Sequence, residues 1–430
     1  MLDIQFIRDN AGLVQQTSTD KGVDVDINKL LEIDEMRRTL IARIDEIREQ
    51  RNELAAKMKD VGGKPSDKDV KHGKELKERI AVLEDELEPV EAKYQQELYR
   101  VPNIPSDDTP VGEKEEDNVV LNTWGDKPEF DFEPKPHWEM TQFIDEERAV
   151  RISGKRFSFL KGGLVRLQLA MVQYGFDVLT NEDILKQIAD GAGLEVSTKP
   201  FIPMLPPMMM RTDAYRATGR LKPDEITFKL NNDDLWLTGS SEHSMCAYHI
   251  GETLDEDELP LRYVGYNTAF RREVGSDGKD TRGIIRQHQF DKLEMESFTT
   301  PEASRVEHEF MIAIQEHLMQ QLGMPYQVVQ KCTIDMGGPN VRGVDIETWM
   351  AGQGVYRETH TADYIGDYQA RGLNTKYKKQ DGSKELVHTN DATAFAQRPL
   401  IAILENNQTA DGRVLVPEVL RPYMGGAEYI

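Results

Sequence analysis

Arg271, Glu273, Phe290, Lys292 and Glu294 are residues of this chain whose types and spacing suit chemistry on a nucleotide. Two strand-like segments carry them, Leu261 to Glu273 and Phe290 to Phe298. Alternate side chains of a strand share a face. Arg271 and Glu273 therefore fall together, with Arg272 opposite. Phe290, Lys292, Glu294, Glu296 and Phe298 share one face of the second segment, and Asp291, Leu293, Met295 and Ser297 the other. An arginine offers phosphate a planar fork and a fixed charge. A phenyl ring offers a base a stacking platform. One carboxylate suits the amino edge of a base, and a second suits a substrate ammonium. Between the segments runs a long loop with Gly275, Gly278 and Gly283 and the cations Lys279, Arg282 and Arg286. A solvated mixed-charge hairpin has the same alternation, so the pattern alone leaves both readings open.

The rest of the chain must hold this hairpin. Its 430 residues, 38% hydrophobic and 30% charged, exceed one small core and call for about two domains. The first hundred residues are distinct. Leu40, Ile44, Ile47, Arg51, Leu54 and Met58 recur at spacings of four and three, as do Leu76, Ile80, Leu83, Leu87, Val90 and Tyr94. These are two heptad seams, broken only by Arg51, with a turn cluster from Val61 to Asp67 between them. The expectation is an antiparallel coiled coil, kinked at Pro89. Prolines at 102 and 105 end the second helix, and a polar, acidic stretch, Ser106 to Asn118, marks a boundary near residue 108. Residues 109–430 then form one large α+β domain.

Two cysteines, Cys246 and Cys332, supply neither a disulfide framework nor a cysteine-rich zinc site. No stretch has the roughly 20 apolar residues of a membrane span, and the N-terminus lacks a signal-peptide pattern, so a cytoplasmic protein is expected. The net charge of −23 opposes nucleic-acid binding in general, though not at a local basic stripe.

Phe270-Arg-Arg-Glu273, Gly275 to Arg286, His288-Gln-Phe290 and Lys292-Leu-Glu294 together resemble motif 2 of the seryl-tRNA synthetases, a family of class II aminoacyl-tRNA synthetases. The resemblance extends along nearly the whole chain. Residues 1–108 are similar to the tRNA-binding arm. Ile152 to Gly162 resembles the start of the catalytic domain. Pro206-Pro207, in the segment 200–210, sits where motif 1 has its proline. Residues 388–408, centred on Arg398 and Ile403-Leu-Glu-Asn406, resemble motif 3. The resemblance implies a class II catalytic domain built on an antiparallel sheet flanked by helices. It implies activation of L-serine with ATP, then transfer to serine tRNA, with selenocysteine tRNA as a second acceptor.

Site roles follow by motif position. Arg271 should meet the α-phosphate, Glu273 should read the adenine amino group, Phe290 should stack on the base, Arg398 should hold the γ-phosphate, and Arg272, Thr359 and His360 should also contact ATP. Glu358 and Thr361, in Glu358-Thr359-His360-Thr361, should hold Mg²⁺ with ATP, since that ion takes hard oxygen ligands. Ser240, Ser241, Glu242, Arg271 and Glu294 should surround serine. The family's motif 3 hydroxyl falls at Ala392, with Thr393 beside it. Glu405 should support a metal or Arg398. The histidines near these motifs, His243, His249, His288 and His360, lack zinc-site spacing, and no zinc is expected. Arg37, Arg38, Arg43, Arg48 and Arg51, with Lys279 and Arg282, are the expected tRNA contacts, the arm of one subunit of a homodimer reaching tRNA at the other. An adenylating enzyme that loads a carrier protein, or a tRNA-binding relative without activity, are the competing readings.

Overall fold

The computed structural model describes residues 1–60, 66–221, 227–273 and 282–430. They divide into two compact units, Leu2–Pro102 and Asn103–Ile430, the latter including Met1.

The first unit is helical: α1 (Ile4–Asp9), α2 (Ala11–Asp20), α3 (Ile27–Asp60) and α4 (Asp67–Leu98). Ser66 caps α4 by accepting from the Asp69 amide, and Asp67 and Asp69 in the first turn suit the positive end of the helix dipole. The heptad seams meet. Ile44, Ile47, Leu76, Ile80 and Leu83 are buried against one another, with Leu40, Leu54 and Leu87 at the margin. Burying such a side chain fully contributes about 1.5–3 kcal/mol, which is why two charged helices stay paired. Arg37 reaches Glu91 at 2.5 Å and Arg48 reaches Glu84 at 2.8 Å. The rising number on one helix meets the falling number on the other, so the pair is antiparallel. Arg51 is exposed rather than in the seam, and α4 runs through Pro89 to Leu98.

The second unit is built on an eight-stranded sheet. Its strands are β1 (Val119–Trp124), β2 (Ile202–Met204), β3 (Leu261–Phe270), β4 (Gln289–Thr299), β5 (Tyr326–Gln330), β6 (Arg342–Met350), β7 (Val355–Gly366) and β8 (His388–Phe395), in the order β1-β5-β6-β7-β8-β4-β3-β2. Every pairing is antiparallel except β2 with β3. Helices α5 (Gly163–Leu179), α6 (Glu182–Ala192), α7 (Pro301–Leu322) and α8 (Gln397–Asn406) supply apolar residues to the same core. Leu293 and Met295 of β4, Ala392 and Ala394 of β8 and Ile346 of β6 enter that core with Leu167, Phe310 and Leu400. Alternation then commits Lys292, Glu294, Asp391 and Thr393 to the other face. The expected α+β class and antiparallel sheet are what the chain forms.

Candidate active site

A cavity of about 170 Å³ opens on that other face. β4 supplies Phe290, Lys292 and Glu294. β8 supplies Asp391 and Thr393, and β7 supplies Glu358, Thr361 and Asp363. Arg398 comes from the first turn of α8, and Arg271 and Glu273 follow the end of β3. Glu294 sits at the centre, opposite Gly265 of β3 and Thr393 of β8.

One half of the cavity is cationic. The Arg271 guanidinium lies 5.3 Å from the centroid of the Phe290 ring, and its Nε donates to the Gly239 carbonyl at 2.9 Å. Arg398 Nη1 donates to the Glu358 carbonyl at 2.9 Å and lies 3.1 Å from the Glu358 carboxylate. Arg286 lies 3.3 Å from Glu273. The Glu358 side chain keeps 45% of its surface exposed; the desolvation it does suffer would raise its carboxyl, but Arg398 and Lys331 override that and push it down to about 2. Ile346 faces His360 and Glu347 faces Glu358, so Thr359 is the extra residue of a β-bulge. The bulge brings Glu358 and Thr361, three apart, onto one face, with the Thr361 hydroxyl 3.4 Å from the Glu358 carboxylate.

The other half is a floor of buried carboxylates. Ligand oxygens of Glu242, Glu294 and Asp391 lie within 4.8 Å of one another. Lys292 Nζ reaches Glu294 at 2.8 Å, the Ser240 hydroxyl at 3.0 Å and Glu242 at 4.0 Å. Arg220 pairs with Asp391 at 2.6 Å and Asp363 at 3.6 Å. Burial pushes Glu294 well up, and it pushes Asp391 up to about 7. Burial would raise Glu242 too, but Lys292 and His243 override it and bring it to about 2. Neighbouring acids this close do not all ionise together, and the floor gains from a cation brought to it.

One cavity thus joins arginines and an aromatic ring suited to a nucleotide to an acidic floor suited to an ammonium. The description "tRNA synthetase class II core domain (G, H, P, S and T)" matches residues 226–407, and "Seryl-tRNA synthetase N-terminal domain" matches residues 1–105. Serine–tRNA ligase of Exiguobacterium sibiricum is 38% identical over the full length of both chains, and that of Syntrophobacter fumaroxidans 37%. The chain belongs to the seryl-tRNA synthetases. The crystal structure of seryl-tRNA synthetase from Pyrococcus horikoshii complexed with ATP superposes with a TM-score of 0.83 at 34% identity, covering 100% of this chain and 99% of that one. The cytoplasmic serine–tRNA ligase from Naegleria fowleri in complex with AMP gives 0.79 at 30% identity, covering 100% and 98%.

Within this synthetase fold the expected site residues separate into two groups. Arg271, Glu273, Phe290, Glu294, Glu358, Thr361, Arg398, Glu242 and Thr393 line the cavity. Others do not. Ala392 is wholly buried in the apolar core, because it pairs with Met295 and alternation turns it from the floor. Thr393 takes the cavity position. His360 is buried too, with Nε2 on the Ala394 carbonyl at 3.1 Å, and burial pushes it down to about 3. The Thr359 hydroxyl, although its residue borders the cavity, bonds Thr348 and the Ile346 carbonyl. Arg272 is exposed, its guanidinium 5.8 Å from the Phe228 ring. Ser240 and Ser241 sit behind the wall, on Lys292 and on the Gly265 carbonyl. Glu405 pairs with His137. Lys279 lies outside the described residues, and Arg282 is exposed.

Sequence reading missed Arg220, Asp363 and Asp391. Asp391 had a signal: it stands two before Thr393 on one strand, hence on the same face. Arg220 had none, since it arrives from a segment far off in sequence.

Proposed function

We propose that this chain activates L-serine with ATP to seryl-adenylate and passes the seryl group to the 3′ end of serine tRNA, with selenocysteine tRNA as a second acceptor. The observation that carries the reading is the union, in one cavity, of an Arg271–Phe290–Arg398 cationic half with a Glu242–Glu294–Asp391 floor. The serine ammonium binds the floor and its hydroxyl meets Thr393. Phe290 stacks on adenine and Glu273 takes the adenine amino group. The serine carboxylate then attacks the α-phosphorus. Arg271 stabilises the charge developing there, and pyrophosphate leaves toward Arg398. A ribose hydroxyl of the tRNA end next attacks the seryl carbonyl, and AMP leaves. Little covalent help is needed; alignment and charge neutralisation carry the rate.

Glu358 and Thr361 fit a Mg²⁺ that accompanies ATP. Both offer hard oxygens on one face, and Glu358 is held ionised. Bound there, the ion neutralises phosphate charge.

Residues 1–108 act as the tRNA arm and 109–430 as the catalytic domain. Arg38, Arg43 and Arg51 are exposed on α3, which supports phosphate contact, while Arg37 and Arg48 are paired with Glu91 and Glu84. Exposed Ile202, Leu205, Met208 and Met209 support a homodimer surface around the motif 1 prolines. Among the described residues no helix is long and apolar enough to cross a membrane. Charging of serine tRNA by the intact chain, with serine and with alanine, tests the reading: serine alone should be transferred, and equal transfer of alanine overturns it.

A further inference from the structure

His137 and Glu405 meet in the interior, both fully buried. One oxygen of Glu405 accepts from His137 Nδ1 at 2.7 Å, from the His137 amide at 3.0 Å and from Gln353 at 2.8 Å. The other ring nitrogen, Nε2, accepts the Ile284 amide at 3.1 Å. The Ile284 N–H donates, so Nε2 presents its lone pair and Nδ1 carries the proton toward Glu405. The carboxylate therefore sets both the tautomer and the ring orientation.

Ile284 opens the limb that leads into β4, and Ile285, Arg286 and Gln287 all line the cavity. This limb is turn and bend, without a ladder to place it. Backbone bonds of His288 to Arg271 and Arg156 hold its far end, and side chains hold the rest. The Gly283 amide hydrogen-bonds Glu146, Arg398 Nε donates to the Ile285 carbonyl at 3.4 Å, and Gln287 donates to the Ser158 hydroxyl at 2.8 Å. Packing against the imidazole is tight: a Cβ on Gly283, whose φ is 71°, would stand 2.1 Å from His137 Nε2.

We propose that His137, oriented by Glu405, is a positioning residue for the nucleotide half of the cavity. It fixes the Ile284 amide, and so the Ile285–Gln287 limb and the carbonyl that Arg398 grips. Glu405 and Arg398 share α8, so one helix carries both the phosphate-binding arginine and the anchor of the limb it must face. The inference rests on reading that half as the ATP site.

Calorimetric titration of the full chain with ATP, and separately with serine, tests it, with His137→Ala, His137→Gln and Glu405→Leu beside the wild type. Loss of one anchoring hydrogen bond should weaken ATP about tenfold in His137→Ala while serine changes less than about twofold. His137→Gln, whose amide oxygen can still accept from Ile284, should recover most of the loss, and it carries the test if His137→Ala fails to fold. Glu405→Leu should weaken ATP similarly, and the double variant should be no worse than either single one, because the two act as a unit. Unchanged ATP binding in the folded variants, or ATP and serine weakened alike, overturns the proposal. A wild type that binds ATP but shows no serine-dependent pyrophosphate exchange contradicts the functional reading alone, since the comparison of ATP affinities still decides this one.

Discussion

Lys292 Nζ lies 2.8 Å from the Glu294 carboxylate, both side chains nearly out of solvent, at the centre of the cavity floor. Burial alone would lower the ammonium, but Glu294 and Glu242 override it and hold it above its ordinary value. Removing Lys292 strands Glu242, which the ammonium helps hold ionised at 4.0 Å. Lys292→Met should cost about 3–5 kcal/mol in chemical denaturation, and it should weaken serine more than ATP. A Lys292→Met chain as stable as wild type would contradict the pairing.

Thr393 and Ala392 are neighbours on opposite faces of β8. Thr393→Val should cut the preference for serine over alanine by about tenfold in exchange kinetics, through loss of one hydrogen bond. Ala392→Ser should leave that preference alone and destabilise the fold by about 1–3 kcal/mol, because its hydroxyl enters an apolar core. The reverse outcome would place the substrate hydroxyl on the wrong side of the strand.

Arg398 touches Glu358 through both its carbonyl and its carboxylate. Arg398→Ala should lower kcat of exchange by about 10²–10³, the usual loss when a donor aimed at developing charge is removed. Arg398→Lys should recover little, since a point charge does not replace a fork. Full activity of Arg398→Lys would remove the guanidinium from the mechanism.

His360 is buried and pushed down to about 3. Its depressed value means the unfolded chain binds the proton first as pH falls. The neutral ring's contribution is complete above the unfolded value near 6.5 and is lost on descending toward about 3. His360→Gln should therefore lose about 2 kcal/mol less stability between pH 7 and pH 5 than the wild type does. Identical pH slopes would show that His360 is not held neutral.

Arg38, Arg43 and Arg51 are exposed on the arm. Replacing all three with alanine should weaken tRNA binding and reduce its salt slope by about 2–3. Exchange activity, which needs no tRNA, should be unaffected. An unchanged salt slope would move the tRNA contacts elsewhere.

Much of this was legible along the chain, for local reasons. Heptad spacing revealed the packed seam because every fourth or third residue must face the partner helix. Alternation from Phe290 to Glu294 revealed the floor because β4 is regular there. The same rule failed where the backbone departs from a strand. β3 ends at Phe270, and Glu273 reaches the cavity through a positive φ of 51°. Glu358 and Thr361 share a face only because of the bulge at Thr359. Neither irregularity has a glycine or proline signal. His137 lay unnoticed because its partners, Ile284 and Glu405, are remote in sequence and it stands outside the motifs.

On the proposed reading, one cavity holds ATP in its arginine half and serine on its carboxylate floor. Serine-dependent ATP–pyrophosphate exchange, run on wild type and on Glu294→Gln, tests it most directly. Wild type should exchange with serine and not with alanine or threonine, and Glu294→Gln should lose the exchange while still binding ATP. Exchange that proceeds equally with alanine, or that survives Glu294→Gln at wild-type serine KM, would contradict serine binding on that floor.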